Sequence, residues 1–290
     1  MRTNMAFTQF ILLLALLVAT NVVFAKPSAK FILGSHVSLD NPHDIKLSPD
    51  GKYLFVADVG NDRVVILEPK TLELVSTFGS DHQDGTHDID FDQQGNAYVA
   101  DTHNSRVTIY KMSGANAKLI GELNKNISGP EGVLIHPNGN VYVAGAWSNN
   151  LVVYKDGEII NELTGLSKPH DVELAPNGNI WLSDSGNDRM LLLSPELSIL
   201  KEWQGLPFNF NGVRYQDVLE DGTVIVADKN NHQVKIFAQN GKPILILGTK
   251  RAGKGVNKFR TPEGIEIQGN TLWIADSGND RIVKYQLKLD

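Results

Sequence analysis

The stretch Pro42-His43-Asp44-Ile45-Lys46-Leu47-Ser48-Pro49-Asp50-Gly51, continued by Tyr53-Leu54-Phe55-Val56-Ala57-Asp58 and Gly60-Asn61-Asp62-Arg63-Val64-Val65-Ile66, decides the fold. Ile45 and Leu47 alternate with polar neighbours, the period of a half-buried strand. Pro-Asp-Gly supplies the backbone angles of a tight reversal. A β-branched and aromatic run follows, then an Asp-x-x-Asn-x-Arg turn, a third strand, and an outer strand, Leu74-Val75-Ser76-Thr77-Phe78. The same series returns at 87–109, 131–153, 170–192, 216–236 and 263–283. The Asp that ends the second apolar run stands at 58, 101, 184, 228 and 276, with Gly145 in its place in the third copy. Six copies spaced by 39 to 48 residues, each of four short strands, are the blades of a β-propeller.

The expectation is therefore an all-β chain, a six-bladed β-propeller of four-stranded antiparallel blades. The blades run at about 41–80, 85–124, 129–165, 168–205, 213–248 and 261–290. The sixth copy reaches Asp290 after only three strands. Segment 30–36, beginning Lys30-Phe31-Ile32-Leu33-Gly34-Ser35, resembles the outer strand at Leu74 and is expected to close the ring as the missing fourth strand. Closure hides edges that would otherwise pair with another chain.

Composition removes whole classes of chemistry. The chain has 290 residues, 41% of them apolar, and no cysteine, so disulfides, zinc–thiolate sites and a Cys nucleophile are excluded. A net charge of −6 argues against nucleic acid as a partner. Residues 1–25 read as a secretory signal peptide: Arg2 precedes the apolar run Phe10 to Val18, and Val23-Phe24-Ala25 makes a cleavage site. The remainder, 26–290, is a single propeller, secreted or periplasmic, and no later run is long and apolar enough to span a bilayer. Asn126-Ile127-Ser128 is a glycosylation sequon, relevant in a eukaryotic host.

In a propeller the first strand of each blade lines the central channel, which gathers the entry residues His43, His87, Glu131, His170, Gln216 and Glu263 around one mouth. Imidazoles and carboxylates converging there are the donor set of zinc or another divalent metal. Asp44, Asp88, Asp171 and Asp217 either orient those imidazoles or accept backbone N–H groups at the blade entry. The Asp-x-x-Asn-x-Arg turns, as at Asp58, Asn61 and Arg63, recur as a structural device rather than as catalytic carboxylates. Departures from the repeat carry more information. The third turn, Gly145-Ala146-Trp147-Ser148-Asn149-Asn150, has lost Asp, Asn and Arg together and presents an aromatic ring. The fifth turn carries Lys229 and His232, with Gln233 in place of Arg, and the second turn carries His103. Trp147, Lys229, His103 and Gln216 are the candidate ligand contacts. Loop 250–260 holds five cations on an acidic protein, suited to steering an anion or to facing water.

The Pro-[His/Glu]-[Asp/Gly]-[Ile/Val] entry and the Ala-Asp-x-x-Asn-x-Arg turn resemble the NHL-repeat family of six-bladed propellers over residues 30–290. A distant similarity to the peptidyl-α-hydroxyglycine amidating lyases within that family implies a zinc triad on His87, His170 and Glu263, with His43 and Glu131 as further candidates and His43 as a general base. In those enzymes the third-blade turn carries a tyrosine, where this chain has Trp147. Their turn arginines fall here on Val59 and Ser185. Two classes of function remain: a binding scaffold for an extracellular protein, peptide or glycan on the top face, and a metal-dependent lyase or hydrolase at the channel mouth.

Overall fold

A computed structural model describes residues 26–289; the expected signal peptide lies outside them. Six antiparallel sheets of four strands each form the ring. Five blades are continuous in sequence, the first being Pro42–Leu47, Leu54–Asp58, Arg63–Leu67 and Leu74–Phe78. The last combines Ile265–Gln268, Thr271–Asp276 and Arg281–Lys288 with the N-terminal strand Ser28–Gly34. Ser28 pairs with Lys288 and Gly34 with Val283, and Phe31 packs edge-on to Tyr285 at 5.6 Å. The two ends of the chain thus close the ring, as expected.

Each hydrophobic cluster belongs to two neighbouring blades. Ile45, Leu54 and Val56 of the first blade pack against Trp273, Ala275 and Ile282 of the last. Phe55 and Ile66 of the first blade pack against Ile89 and Val99 of the second. The middle strands bury both faces, while the outer strand Leu74–Phe78 is largely exposed. Apolar burial therefore holds blade to blade rather than forming one central core.

Polar bonds repeat around the ring with the same logic. In the second-to-third-strand turns Asp62, Ser105, Asn149, Asp188, His232 and Asp280 all have positive φ, between 51° and 55°. Each accepts a backbone N–H from the entry loop of the next blade: Gly85, Gly129, Lys168, Gly212, Thr261 and Asn41, at 2.6 to 3.3 Å. Short polar residues suit both demands, since they tolerate a left-handed backbone and reach a nearby amide.

The Asp-x-x-Asn-x-Arg turns are built inside one blade. Asp58 is fully buried; one oxygen accepts Asn61 Nδ2 at 2.9 Å and Arg63 Nε at 2.8 Å, and the other accepts the Asp40 N–H at 2.7 Å. Asp101, Asp184 and Asp276 repeat the arrangement. These carboxylates tie turn, third strand and entry loop together.

Candidate functional site

A register shift at the start of the first strands sets what faces the channel, as between Pro42 and Ile45. It separates the entry side chain from the one that follows. Asp88 accepts the Val133 N–H at 2.5 Å and Asp171 the Gln216 N–H at 2.7 Å, in each case from the next blade. Asp44 lies 3.4 Å from the Ile89 N–H, and Asp217 accepts the Ile267 N–H at 2.7 Å. These aspartates hold first strands to one another and do not orient the imidazoles.

Strand pairing also corrects the fifth blade. Val213 is opposite Asp228 as Pro42 is opposite Asp58, which makes Arg214 the entry residue. Gln216 is not at the mouth: it is buried between blades, accepting from Ser183 Oγ and donating to the Trp181 carbonyl at 3.3 Å. The neighbouring Tyr215 fills the channel axis, its hydroxyl lying 2.9 Å from the Glu131 carbonyl and 3.1 Å from that of His87.

The mouth is thus ringed by His43, His87, Glu131, His170, Arg214 and Glu263, with Lys229 reaching in from the fifth turn. Glu263 has no exposed surface; it faces Arg214 Nε at 3.1 Å, His43 Nε2 at 3.7 Å and the Lys229 ammonium. Burial pushes its carboxyl up, but His43, Arg214 and Lys229 outweigh burial and hold it at about 2. Glu131 meets His170 Nε2 at 2.5 Å, and against burial that imidazole holds it well below the usual carboxylate range. His43 is driven down to about 3 by burial, against the pull of Glu263, and burial lowers His87 as well, so both rings are neutral at pH 7. Nδ1 of His43 is buried with no hydrogen-bond partner.

Zinc does not fit the residues present. Of the expected triad, Glu263 is neutralised by two cations, His170 is engaged by Glu131, and only His87 is without a charged partner. His87 Nδ1 is occupied by the Gly85 carbonyl and Thr102 Oγ1, each at 2.8 Å. Among the described residues no three His, Asp or Glu side chains are arranged to hold a metal ion. A cation brought to Glu263 would also meet Arg214 and Lys229 at close range.

Aromatic rings lead from the mouth to the rim. His43 and His87 meet edge to face at 4.5 Å, His87 and His103 lie 6.4 Å apart, and His103 stacks on Trp147 at 5.8 Å and 17°. Asp84 fixes His103 through Nδ1 at 2.6 Å. Trp147 is 52% exposed and lies flat over Gly129, where a Cβ would come within 2.4 Å of the indole. His103 covers Gly85 in the same way, and Asn230 covers Gly212. In the other three blades the roles reverse. Glycines 60, 186 and 278 occupy the turn, and Asp40, Ser167 and Arg260 lean over them. Where the turn carries a side chain, the facing entry position is glycine, so His103, Trp147 and Asn230 are the turn side chains laid over the top face.

Comparison with known proteins agrees with this architecture. Residues 34–158 match the family described as "Lactonase, 7-bladed beta-propeller", and residues 217–237 match "NHL repeat". The chain itself has six blades, one fewer than the first description. It is 26% identical over 72 residues to NHL repeat-containing protein 2 of Gallus gallus, covering 23% of this chain and 10% of that protein. It is 27% identical over 140 residues to an uncharacterized protein of Staphylococcus aureus, covering 43% of this chain and 40% of that one. The chain therefore spans well under half the length of these relatives. Among solved structures, virginiamycin B lyase from Staphylococcus aureus superposes with a TM-score of 0.65 at 15% identity, over 90% of this chain and 100% of that one. An auxiliary nutrient binding protein from Bacteroides thetaiotaomicron superposes with a TM-score of 0.72 at 12% identity, over 90% and 77%. At such identities the likeness is one of fold. Blade count and strand order make this chain a six-bladed β-propeller, and its residues 217–237 match the NHL repeat.

Proposed function

We propose that the chain is a non-catalytic binding propeller, working outside the cytoplasm, that takes an extracellular ligand on its top face. The observation that carries this reading is the Trp147–His103 plate. A half-exposed indole, stacked on a histidine that is itself fixed by Asp84, is an ordered apolar surface beside a polar funnel. Exposed, immobilised aromatic rings lose little entropy on contact and are frequent anchors of binding sites. The nutrient-binding protein among the structural neighbours is consistent with such a role on this fold.

The metal-dependent lyase or hydrolase is the less supported alternative, because its donors are paired with each other and with cations. The deciding experiment has two arms. Trp147→Ala should abolish ligand capture while leaving the melting temperature within about 2 °C, the shift of a neutral surface change. Metal analysis of untagged protein should find far less than one zinc per chain, and a full equivalent of tightly held zinc would restore the enzyme reading.

A further inference from the structure

The top face is polarised. His103 and Trp147 occupy the second and third blades, and cations occupy the fifth and sixth. At the mouth, side-chain exposure is 0% for Glu263, 15% for Arg214 and 26% for Lys229. Glu263 is thus the buried counter-charge, and the two cations are what solvent meets. From the same sector the loop between the fifth and sixth blades carries Lys250, Arg251, Lys254, Lys258 and Arg260, all exposed, with no acidic residue among residues 249–260. None of the five forms an ion pair among the described residues. The loop is fastened to the sixth turn on the top face: Asn279 Nδ2 donates to the Gly253 carbonyl at 2.7 Å, and the stem of Arg260 covers Gly278.

Five unpaired cations held together repel one another, and an anion binding there relieves that repulsion. We infer that the ligand of the top face is an acidic oligosaccharide. One sugar ring lies on the Trp147–His103 plate, and its carboxylates face Lys229, Arg214 and the cationic loop. The inference rests on the binding reading above and adds the ligand class. A pyranose presents a flat C–H face to an indole, and each uronate unit adds one carboxylate, so a single ligand uses both halves of the face. An acidic peptide matches the cations but has no flat face for the plate.

The test uses tryptophan fluorescence of the full chain. Trp181, Trp203 and Trp273 are each 3% exposed, so a ligand-induced change reports Trp147. The probes are oligogalacturonate, a neutral galactose oligomer of equal length, and polyglutamate. Oligogalacturonate should bind at least about tenfold more tightly than either alternative, and weaken strongly in about 0.5 M salt, where surface charges are screened. The triple variant Lys250→Gln, Lys254→Gln, Lys258→Gln should weaken it by roughly tenfold and flatten the salt dependence, with the melting temperature unchanged. Equal binding of the neutral sugar, tighter binding of polyglutamate, or no binding of the uronate overturns the inference. A neutral sugar or polyglutamate bound in a Trp147-dependent way would leave top-face binding standing. Calorimetry showing that Trp147→Ala binds every probe as well as the parent overturns both.

Discussion

Asp280 Oδ1, in the last turn of the ring, accepts the backbone N–H of Asn41, at the entry of the first blade, at 3.0 Å. The two residues are 239 positions apart and make the bond that Asp62 and Gly85, or Asp188 and Gly212, make between consecutive blades. Beside the apolar packing of the first blade on the last, ring closure therefore uses the N-terminal strand paired to Arg281–Lys288 and this latch on the top face. Asp280→Ala should lower stability by about 1 kcal/mol, the net worth of one such hydrogen bond, with a small addition for alanine at φ 52°. Asp280→Asn keeps an acceptor in the same place and tolerates the same backbone, so it should stay within about 0.5 kcal/mol of the parent in urea unfolding.

Gly129 and Trp147 make the second prediction. A Cβ at Gly129 would lie 2.4 Å from the indole, at φ +57°, whereas Gly165 has φ +80° with nothing within 4 Å of its missing Cβ. Gly129→Ala and Gly165→Ala should both lose about 1 kcal/mol to backbone strain. Only Gly129→Ala must also lift the indole from its seat. Acrylamide should then quench its fluorescence more strongly than the parent's, while Gly165→Ala should quench as the parent does.

How much of this was legible in the sequence depends on the kind of interaction. The blades follow from alternation and turn residues, because burial and backbone angle act locally. The mouth depends on register, which is set by a bulge and by pairing between distant strands. Gln216 stands 12 residues before Asp228, whereas His170 stands 14 before Asp184, as Arg214 does before Asp228. Counting back from the turn Asp would have found Arg214; following the Asp-containing motif led to Asp217, which lies two residues further along the strand. His-Asp pairs left two readings open, oriented imidazoles or acceptors of backbone N–H groups; the bulge sends the two side chains apart and selects the second, with the backbone groups supplied by the next blade. The exchange of glycine between turn and entry position is fully present in the sequence, but it has meaning only once the two loops are seen face to face.

The fifth turn predicts a buried ion pair with an unusual partner. Gln233 stands where four of the other five blades have Arg, and the cation on Asp228 comes from Lys235, which is 3% exposed. Its ammonium also donates to the carbonyls of Phe208 at 2.7 Å and Asn209 at 2.9 Å. Lys235→Met strands a buried carboxylate and two carbonyls, with an expected loss of about 3–5 kcal/mol. Adding Asp228→Asn removes the stranded charge and should recover part of that loss, a non-additivity that a double-mutant cycle in urea would measure.

Beneath Tyr215 the channel holds a second ring, Lys46 with Asp90, Glu173, Asp217 and Glu266, of which Lys46 and Glu173 pair at 2.6 Å. One cation faces four carboxyl groups. Burial raises Asp90 to about 6 and Asp217 to about 7, and burial together with Asp217 raises Glu266 well above the usual range. A carboxyl whose folded pKa is raised binds more protons folded than unfolded. Its effect on stability therefore becomes less favourable as pH rises through the window between the unfolded and folded values. Glu263 works the opposite way: held at about 2, it contributes stability above pH 4.5 that is lost as pH falls toward 2. Between pH 5 and pH 8 the raised carboxyls should therefore weaken the fold, opposed below about pH 6.5 by His43 and His87, whose burial favours the neutral rings. Glu266→Gln isolates one group of the ring, since Glu266 is 7% exposed and glutamine matches the protonated form in shape. Parent and variant should unfold at nearly the same urea concentration at pH 5. Above that the variant should gain relative to the parent by up to about 1.4 kcal/mol per pH unit until the folded pKa is reached. A constant difference between pH 5 and pH 8 would mean that Glu266 titrates alike in the folded and unfolded chain, and that the lower ring carries its charge at no cost.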